Sequence, residues 1–380
     1  MAVKRNRNRI FQVVPILLLL LLTSVASAAE PRQMDLFRAG EGGYHTYRIP
    51  SLIETQQGAL LAFCEGRKGS SSDAGDIDLL LRRSNDGGAT WSPVQTVWDD
   101  GPNTCGNPCP VVDRETGTVW LLLTWNAGPQ REDQIQPGFG EDSRRVFVTR
   151  SSDDGATWDK PVEITRAVKR PDWTWYATGP GNGIQLRGGR LVIPCDHKVR
   201  VEGTERDHSH VLYSDDHGKN WQVGGIAWEK TNESAVAELK DGTLLLNMRN
   251  NHGKSRRSVA KSADGGLTWS PVAFDDALVE PVCEASLVTT RRWNEADDEL
   301  LFSNPADTQR VRLTVRLSRD GGRTWPMSRS LHEGPAAYSS LCPLGGGEAG
   351  ILYERGDKTP YERITFARFG LDWLEEEGKE

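Results

Sequence analysis

The sequence predicts an all-β fold, a six-bladed β-propeller, and three observations carry this prediction. An eight-residue motif of the form S-x-D-x-G-x-T-W occurs five times, strand-like runs flank its copies, and helical periodicity is scarce. The copies begin 67, 63, 48 and 56 residues apart, which indicates one supersecondary unit repeated with loops of variable length. At about 60 residues per unit the chain holds about six units, and four-stranded blades around an axis fit this spacing. A β-sandwich would not repeat its turn in this way.

The repeated motif has the composition of a hairpin turn. Its copies occupy residues 84–91, 151–158, 214–221, 262–269 and 318–325, with Asn220 in place of threonine in the third. Runs in which apolar and polar residues alternate occupy residues 76–84, 92–98, 144–151, 160–164, 311–318 and 361–369. An aspartate can accept hydrogen bonds from backbone N–H groups within a turn, and glycine supplies the positive φ that other residues avoid. Each copy therefore predicts an antiparallel hairpin.

A tryptophan ends each copy of the motif, where polar sequence would be expected. Placed just after the turn, its side chain can fold back between hairpin layers and bury roughly 150 to 250 Å². The motif is therefore structural, and we assign its five aspartates the same role rather than a catalytic one. These are Asp86, Asp153, Asp216, Asp264 and Asp320.

Residues 1–28 have the composition of a signal peptide. Basic residues precede an apolar run at 10–22, and a cleavage site of small residues ends at Ala28. A membrane anchor is the alternative, but the apolar run is shorter than the roughly 20 residues that a spanning helix needs. We expect export to the periplasm or the medium, a single propeller domain at 29–374 and a short acidic, disordered tail at 375–380.

The composition limits the classes of ligand. The formal net charge is −7, so the chain has no basic surplus to hold nucleic acid by counterion release. Any anionic ligand must be met by a local cluster of arginines. Among the six cysteines, Cys105 and Cys109 lack a second closely spaced Cys/His pair that would complete a metal site. We therefore expect buried or bridged thiols, with neither a metal nor a cofactor.

The segment "YRIP" at residues 47–50 is a more specific signal. Together with the five motif copies it resembles the bacterial exo-sialidase (neuraminidase) family, and the resemblance extends from Arg48 to Phe369. It implies a secreted hydrolase that releases terminal sialic acids from sialylated glycans or gangliosides, with retention of configuration and without a metal. A monomer is the expected form. The alternatives are a trans-sialidase, in which another sugar replaces water, and a propeller that binds glycans without turnover.

In that family three arginines bind the substrate carboxylate. By motif they fall on Arg48, on Arg249 in "LLLNMRN" and on Arg310 in "SNPADTQRVRLTVRLS". Arg312 is an alternative for the third, since it lies two residues on and would share a strand face with Arg310. Planar guanidinium groups make paired, charge-assisted hydrogen bonds to a carboxylate, each worth roughly 1.5 to 3 kcal/mol. The resemblance also implies that Glu354, in "ILYERG", braces Arg48.

The resemblance assigns the acid/base role to Asp73, which lies in a Gly/Ser-rich loop ten residues ahead of Arg83. Asp76 and Asp78 are close competitors. Asp78 is the weaker of these because it should belong to the alternating pattern of the strand that follows, and not to the loop. Arg67 resembles a family arginine near a substrate hydroxyl.

Tyr338, in "GPAAYSSL", and Glu233, in "TNESAVAEL", match the family's tyrosine nucleophile and its partner base, with Glu238 as a nearby decoy. Glycosidases usually use two carboxylates, and sialidases are an exception. A sialic acid bears a carboxylate on its anomeric carbon, so an anionic nucleophile about 4 Å away would meet roughly 4 kcal/mol of repulsion at an effective dielectric of 20. A neutral phenol avoids that repulsion, because charge develops on it only as its proton moves to Glu233. The aromatic stretch at 171–186 either lines the site, near the glycerol tail or the departing sugar, or packs in the core.

Overall fold

The structure of the chain is a computed structural model that describes residues 1, 29–290 and 298–375. Apart from its first residue, the predicted signal peptide lies outside the described residues, as do residues 376–380 of the predicted tail. Glu375, which the sequence assigns to a disordered tail, is instead the last residue of a short helix. Within the described ranges, no helix has the length and apolar character needed to cross a membrane.

Strands make up most of the described chain, which confirms the all-β class. The first twelve strands are β1 Arg32–Arg38, β2 Thr46–Glu54, β3 Leu60–Arg67, β4 Ile77–Ser84, β5 Gln95–Trp98, β6 Thr104–Val112, β7 Val119–Asn126, β8 Arg145–Ser151, β9 Val162–Glu163, β10 Trp173–Thr178, β11 Ile184–Gln185 and β12 Leu191–Val201. The others are β13 Thr204–Ser214, β14 Gln222–Glu229, β15 Thr231–Glu238, β16 Leu244–Asn250, β17 Arg256–Ser262, β18 Ala273–Val279, β19 Ser286–Thr289, β20 Leu300–Pro305, β21 Val311–Ser318, β22 Met327–Gly345, β23 Glu348–Arg355 and β24 Arg363–Gly370. Two short α-helices are α1 Thr165–Val168 and α2 Asp372–Glu375, and a 3₁₀ turn spans Glu132–Gln134.

The described strands form four sheets in which consecutive strands pair antiparallel. One sheet has the order β2-β3-β4-β6-β7-β8-β9 with β5 on β4, and a single parallel pair, Ile77 with Thr104, joins its two halves. A second has the order β10-β12-β13-β14 with β11 on β12, and a third the order β15-β16-β17-β18. The sheets therefore follow the chain as successive antiparallel groups.

The last sheet joins the two ends of the chain. Its order is β1-β24-β23-β22-β21-β20-β19. The 19-residue strand β22 pairs with β21 through its first half and with β23 through its second half. β1 pairs antiparallel with β24, so the first described strand completes the sheet formed by the last.

The motif turns have the hydrogen bonds that the sequence predicts. In the first copy Asp86 Oδ1 accepts the Thr90 N–H at 2.9 Å, and Asp86 Oδ2 accepts the Thr90 hydroxyl at 2.6 Å. The same pair of bonds joins Asp153 to Thr157 in the second copy. These hydrogen bonds lower the pKa of Asp86 to about 2. The aspartate thus stabilises its own turn, as the structural assignment requires.

The motif tryptophans contact a neighbouring group of strands. Trp158, which follows β8, packs edge-on against Phe63 of β3 with ring centroids 5.6 Å apart. The indole N–H of Trp269, which follows β17, donates to the carbonyl of Gly225 in β14 at 3.1 Å. These contacts pack successive groups of strands against each other, which is the role that the sequence predicts for the tryptophan.

Strand pairing gathers the predicted site residues at one edge of the sheets. In an antiparallel pair the start of one strand lies beside the end of the next. Arg48 lies near the start of β2 and Arg67 ends β3, while Glu233 lies near the start of β15 and Arg249 near the end of β16. Residues that are far apart in sequence therefore meet at this edge.

Candidate active site

A cavity of about 220 Å³ opens at this edge of the sheets. Five of the eight residues that the sequence assigns to the site line it, namely Arg67, Asp73, Glu233, Arg249 and Tyr338. The other three, Arg48, Arg310 and Glu354, contact Tyr338. All eight are therefore brought together.

Tyr338 and Glu233 are hydrogen-bonded in the cavity. The Tyr338 hydroxyl donates to Glu233 Oε1 at 2.6 Å. Arg249 Nη1 donates to Glu233 Oε2 at 2.6 Å and to Tyr338 Oη at 2.9 Å. Burial and the nearby charge of Glu233 raise the pKa of Tyr338 well above its usual value, although Arg249 opposes them. The phenol is therefore neutral, and a base is in position to accept its proton.

Two further arginines lie against the Tyr338 ring. The guanidinium carbon of Arg48 is 5.1 Å from the ring centroid and that of Arg310 is 5.6 Å from it. Among the described residues Arg310 has no carboxylate partner, and Arg249 Nε is buried without a hydrogen-bond partner. The cluster thus retains N–H groups that an anion can bind.

Glu354 fixes the position of Arg48. Its fully buried carboxylate accepts Arg48 Nε at 2.7 Å, the Ile49 N–H at 2.9 Å and the Tyr338 N–H at 3.1 Å. Ile49 has a left-handed φ of 60°, a conformation that is unfavourable for a β-branched residue. Burial is the largest single influence and lowers the pKa of Arg48, but the charge of Glu354, the nearby Tyr338 and Tyr361 and the hydrogen bond to Glu354 together raise it above its usual value, so Arg48 stays protonated. One carboxylate therefore links the strands that carry Arg48 and Tyr338.

The structure distinguishes Arg310 from Arg312. The expectation that the two share a strand face is wrong, because Arg310 precedes β21 and Arg312 has a left-handed φ of 57° at an irregularity in the β21–β22 pairing. Arg310 Nη1 donates to the Tyr361 hydroxyl at 2.8 Å beside the cavity. Arg312 is 46% exposed and binds Asp307 at 3.1 Å.

Asp73 lies at the mouth of the cavity and pairs with Arg67. Asp73 Oδ1 is 2.7 Å from Arg67 Nη1, and the Asp73 side chain is 69% exposed. Partial burial raises the pKa of Asp73, but the charges of Arg67 and Arg48 together with a hydrogen bond from Arg67 lower it to below its usual value. Arg67 is itself held by Glu65, whose Oε2 accepts Arg67 Nη2 at 2.6 Å and Nε at 3.0 Å.

The competing carboxylates have other partners. Asp76 and Asp78 both bind Lys68, at 2.8 and 3.0 Å, and Asp78 also accepts the Tyr44 hydroxyl at 2.7 Å. Glu238 lies at the far end of β15 from Glu233, where it accepts the backbone N–H of Arg187 at 2.8 Å. These three carboxylates do not line the cavity.

The aromatic stretch at 171–186 contributes to both the cavity and the core. Trp175 lines the cavity, and the guanidinium of the buried Arg144 lies 4.1 Å from its ring centroid. Trp173 is buried in an apolar cluster. Both interpretations of this stretch therefore apply, each to different residues.

Sequence reasoning missed several residues of the site. Glu65 carries a detectable signal, because it lies two residues before Arg67 on one strand and so shares its face. Tyr361 and Arg144 carry no such signal, since loops and strands distant in sequence bring them to the cavity. Asp196 is also buried in the lining.

The described residues contain no cluster of three or more histidine, cysteine or acidic side chains arranged to hold a metal ion. All six cysteines are buried and unbridged. Of the two forms expected from the sequence, the buried thiol is the one observed.

Comparisons with known proteins show which family the chain belongs to. The model of the family described as "BNR repeat-like domain" matches residues 58–351. The chain is 36% identical over 336 residues to a sialidase of Bacteroides fragilis, covering 83% of this chain and 61% of that protein. It is 35% identical to a sialidase of Micromonospora viridifaciens, covering 90% of this chain and 54% of that protein. The chain thus spans little more than half the length of these two relatives.

In two other comparisons the match covers more of the other protein. An exo-alpha-sialidase of Aspergillus fumigatus is 32% identical, covering 87% of this chain and 86% of that protein. Among solved structures, the Hadza microbial sialidase Hz136 superposes with a TM-score of 0.82 at 36% identity, covering 90% of this chain and 69% of that one.

Proposed function

Since the chain belongs to the sialidase family, with its BNR repeat-like domain, we propose that it is an exo-α-sialidase that hydrolyses terminal α-ketosidically linked sialic acids with retention of configuration. The observation that carries this proposal is the 2.6 Å hydrogen bond between Tyr338 and Glu233 within a cluster of three arginines. A neutral nucleophile beside cations suits a substrate that bears a carboxylate at the reacting carbon. Sialylated glycans or gangliosides are the proposed substrates, and a monomer is the proposed form.

We propose that the four sheets form the six blades of one propeller domain at 29–374. The eight-stranded sheet and the seven-stranded sheet would each hold two blades, and the other two sheets one blade each. Each blade then has four main strands, with β22 contributing to the last two blades and β1 completing the sixth. The antiparallel order and the contacts of the motif tryptophans support this arrangement. We also propose export, on the composition of residues 1–28.

The substrate carboxylate is bound by Arg48, Arg249 and Arg310 in this proposal. Their cationic groups meet around the Tyr338 ring, and Glu354 holds Arg48 in place. A carboxylate at this point lies next to the phenol oxygen and orients the anomeric carbon for attack.

The reaction then proceeds in two displacements. The Tyr338 oxygen forms a bond to the anomeric carbon as its proton moves to Glu233, and the glycosidic bond breaks as Asp73 protonates the departing oxygen. Arg249, which already donates to Tyr338 Oη, stabilises the charge that develops on that oxygen. Water, deprotonated by Asp73, next displaces Tyr338, whose oxygen takes its proton back from Glu233, so two inversions give retention.

Asp73 must be protonated to act as an acid, although Arg67 and Arg48 lower its pKa in the free enzyme. A bound substrate carboxylate offsets the charge of Arg48, and the bound sugar covers the exposed Asp73 side chain. Both changes raise the pKa of Asp73 in the complex.

The function is tested by incubating the purified protein with a fluorogenic aryl sialoside, with and without lactose as acceptor. A hydrolase releases free sialic acid under both conditions. Transfer of most of the sialic acid to lactose would instead indicate a trans-sialidase, and binding without release would indicate a glycan-binding propeller.

Asp73→Ala is expected to impair the hydrolysis of natural substrates more than the hydrolysis of aryl sialosides. A phenolate leaves without protonation whereas a sugar alkoxide does not, so the variant should lose about 100-fold or more in kcat/KM on sialyl-lactose and about tenfold or less on an aryl sialoside. Steady-state kinetics on both substrates measures the difference. Equal losses would move the acid role to another group, and Asp76→Ala is the matched control.

Arg310→Lys and Arg312→Lys are a matched pair. Because lysine cannot reproduce a paired guanidinium contact, Arg310→Lys should lower kcat/KM for the aryl sialoside about 10- to 100-fold. Arg312→Lys should stay within about threefold of wild type, since it changes an exposed ion pair. The reverse ranking would assign the third carboxylate-binding arginine to Arg312.

A further inference from the structure

Tyr361 contacts two of the three arginines that form the proposed carboxylate-binding site. Its hydroxyl accepts Arg310 Nη1 at 2.8 Å, and the guanidinium carbon of Arg48 lies 4.1 Å from the centroid of its ring. Tyr361 does not line the cavity that holds Tyr338. It can therefore act on a bound substrate through these arginines, and no step described above uses it.

The loop that contains Tyr361 is fixed by its own hydrogen bonds. Residues 356–362 connect β23 to β24, and the Glu362 carboxylate accepts the backbone N–H groups of residues 357–359 at 2.7 to 3.0 Å. These three hydrogen bonds lower the pKa of Glu362 to about 2. The loop thus gives the Tyr361 side chain a defined position beside the arginines.

Tyr361 supplies Arg310 with a neutral partner. Arg48 and Arg249 each bind a carboxylate, at 2.7 and 2.6 Å. The hydrogen-bond partners of Arg310 among the described residues are the Tyr361 hydroxyl and a backbone carbonyl at 3.2 Å, and both are neutral. A carboxylate in place of the phenol would offset the charge of Arg310 and weaken its attraction for an anion. The phenol holds the guanidinium and leaves its charge available.

We propose that Tyr361 is a positioning residue that fixes Arg310 and Arg48 in the orientation that a sialic acid carboxylate requires. The inference rests on the proposed function. A guanidinium binds a carboxylate through paired hydrogen bonds in one plane, so the affinity depends on how the group is oriented. An arginine that must first be ordered binds more weakly, because its conformational entropy is lost on binding. Tyr361 therefore acts on affinity and not on the chemical step.

The two contacts of Tyr361 can be removed separately. Phenylalanine keeps the ring beside Arg48 and removes the acceptor for Arg310, whereas leucine removes both. Arg48 retains its hydrogen bond to Glu354 at 2.7 Å in either variant. Arg310 retains only the Val282 carbonyl among the partners described. Loss of the hydroxyl should therefore affect Arg310 first.

The test measures kcat and KM for an aryl sialoside and the Kd for free sialic acid. Tyr361→Phe should raise KM and Kd about five- to tenfold and leave kcat within about twofold of wild type. Tyr361→Leu should raise both about 30-fold or more, again with little change in kcat. A purely structural role would instead lower the folded fraction, which reduces the apparent kcat and leaves KM unchanged.

Tyr213 is the matched control, because its ring also contacts an arginine but lies outside the cavity. The guanidinium carbon of Arg190 is 4.3 Å from the ring centroid, and the Tyr213 hydroxyl donates to Gln222 at 3.2 Å. Tyr213→Phe and Tyr213→Leu should leave KM, Kd and kcat within about twofold of wild type.

The proposal and the function on which it rests fail in different ways. Unchanged KM and Kd in Tyr361→Phe would overturn the positioning role, as would a loss confined to kcat. A wild type that binds sialic acid but releases none from the sialoside would contradict the proposed hydrolysis, and the Kd values of the two proteins would still decide the role of Tyr361. A wild type that does not bind sialic acid would overturn both.

Discussion

Replacing Tyr338 with phenylalanine should lower kcat for an aryl sialoside by about a thousandfold or more. The change keeps the ring against which Arg48 and Arg310 lie and removes only the oxygen that donates to Glu233 at 2.6 Å. Glu233 cannot replace it as nucleophile, because its charge would face the substrate carboxylate. The arginine cluster should still bind sialic acid, so a titration of the variant should give a Kd close to that of the wild type.

Tyr353→Phe is the matched control for this variant. Tyr353 is also buried, and its hydroxyl donates to Gln33 at 2.6 Å away from the cavity. It should cost stability and leave kcat within about threefold of wild type. Two results would contradict the nucleophile assignment: proton NMR of a fresh reaction showing the β-anomer first, or a 3-fluorosialyl fluoride probe labelling a residue other than Tyr338.

The repeat units were predictable because their chemistry is local. The aspartate, glycines and tryptophan of each motif act within a single turn and its immediate neighbours, as the bonds from Asp86 to Thr90 illustrate. Turn composition and alternation in the sequence report such contacts directly. The proposed number of blades follows less directly from the repeats, since β22 contributes to two groups of strands and β1 pairs with β24.

The site was predictable only where a motif marked it. Arg48 and Glu354 were named by resemblance, and the structure joins them at 2.7 Å although they are 306 residues apart. Arg310 and Arg312 could not be separated, because alternation assumes a regular strand and Arg312 has a left-handed φ. Asp196 had no local signal, since its environment depends on charges from other strands.

In the proposed mechanism Arg249 links the nucleophile pair to the carboxylate-binding site, so it should be the least replaceable of the three arginines. Its Nη1 contacts both Glu233 and Tyr338, while its Nε is buried without a partner among the described residues. One planar guanidinium can therefore hold the base, support the phenol oxygen and present another N–H to a carboxylate. A lysine ammonium is a single point of charge and cannot satisfy these separated acceptors together.

Arg249→Lys should accordingly lower kcat/KM for an aryl sialoside about 100- to 1,000-fold, with both a higher KM and a lower kcat. KM rises because a carboxylate contact is lost, and kcat falls because the charge on Tyr338 Oη loses support. Arg257→Lys is the control, since Arg257 is fully buried and binds Glu280 at 2.7 Å outside the cavity. It should lower Tm and leave kcat/KM per folded molecule within about threefold. If Arg249→Lys also stayed within threefold of wild type, Arg249 would have no part in binding the carboxylate, and its contacts with Glu233 and Tyr338 would serve the fold alone.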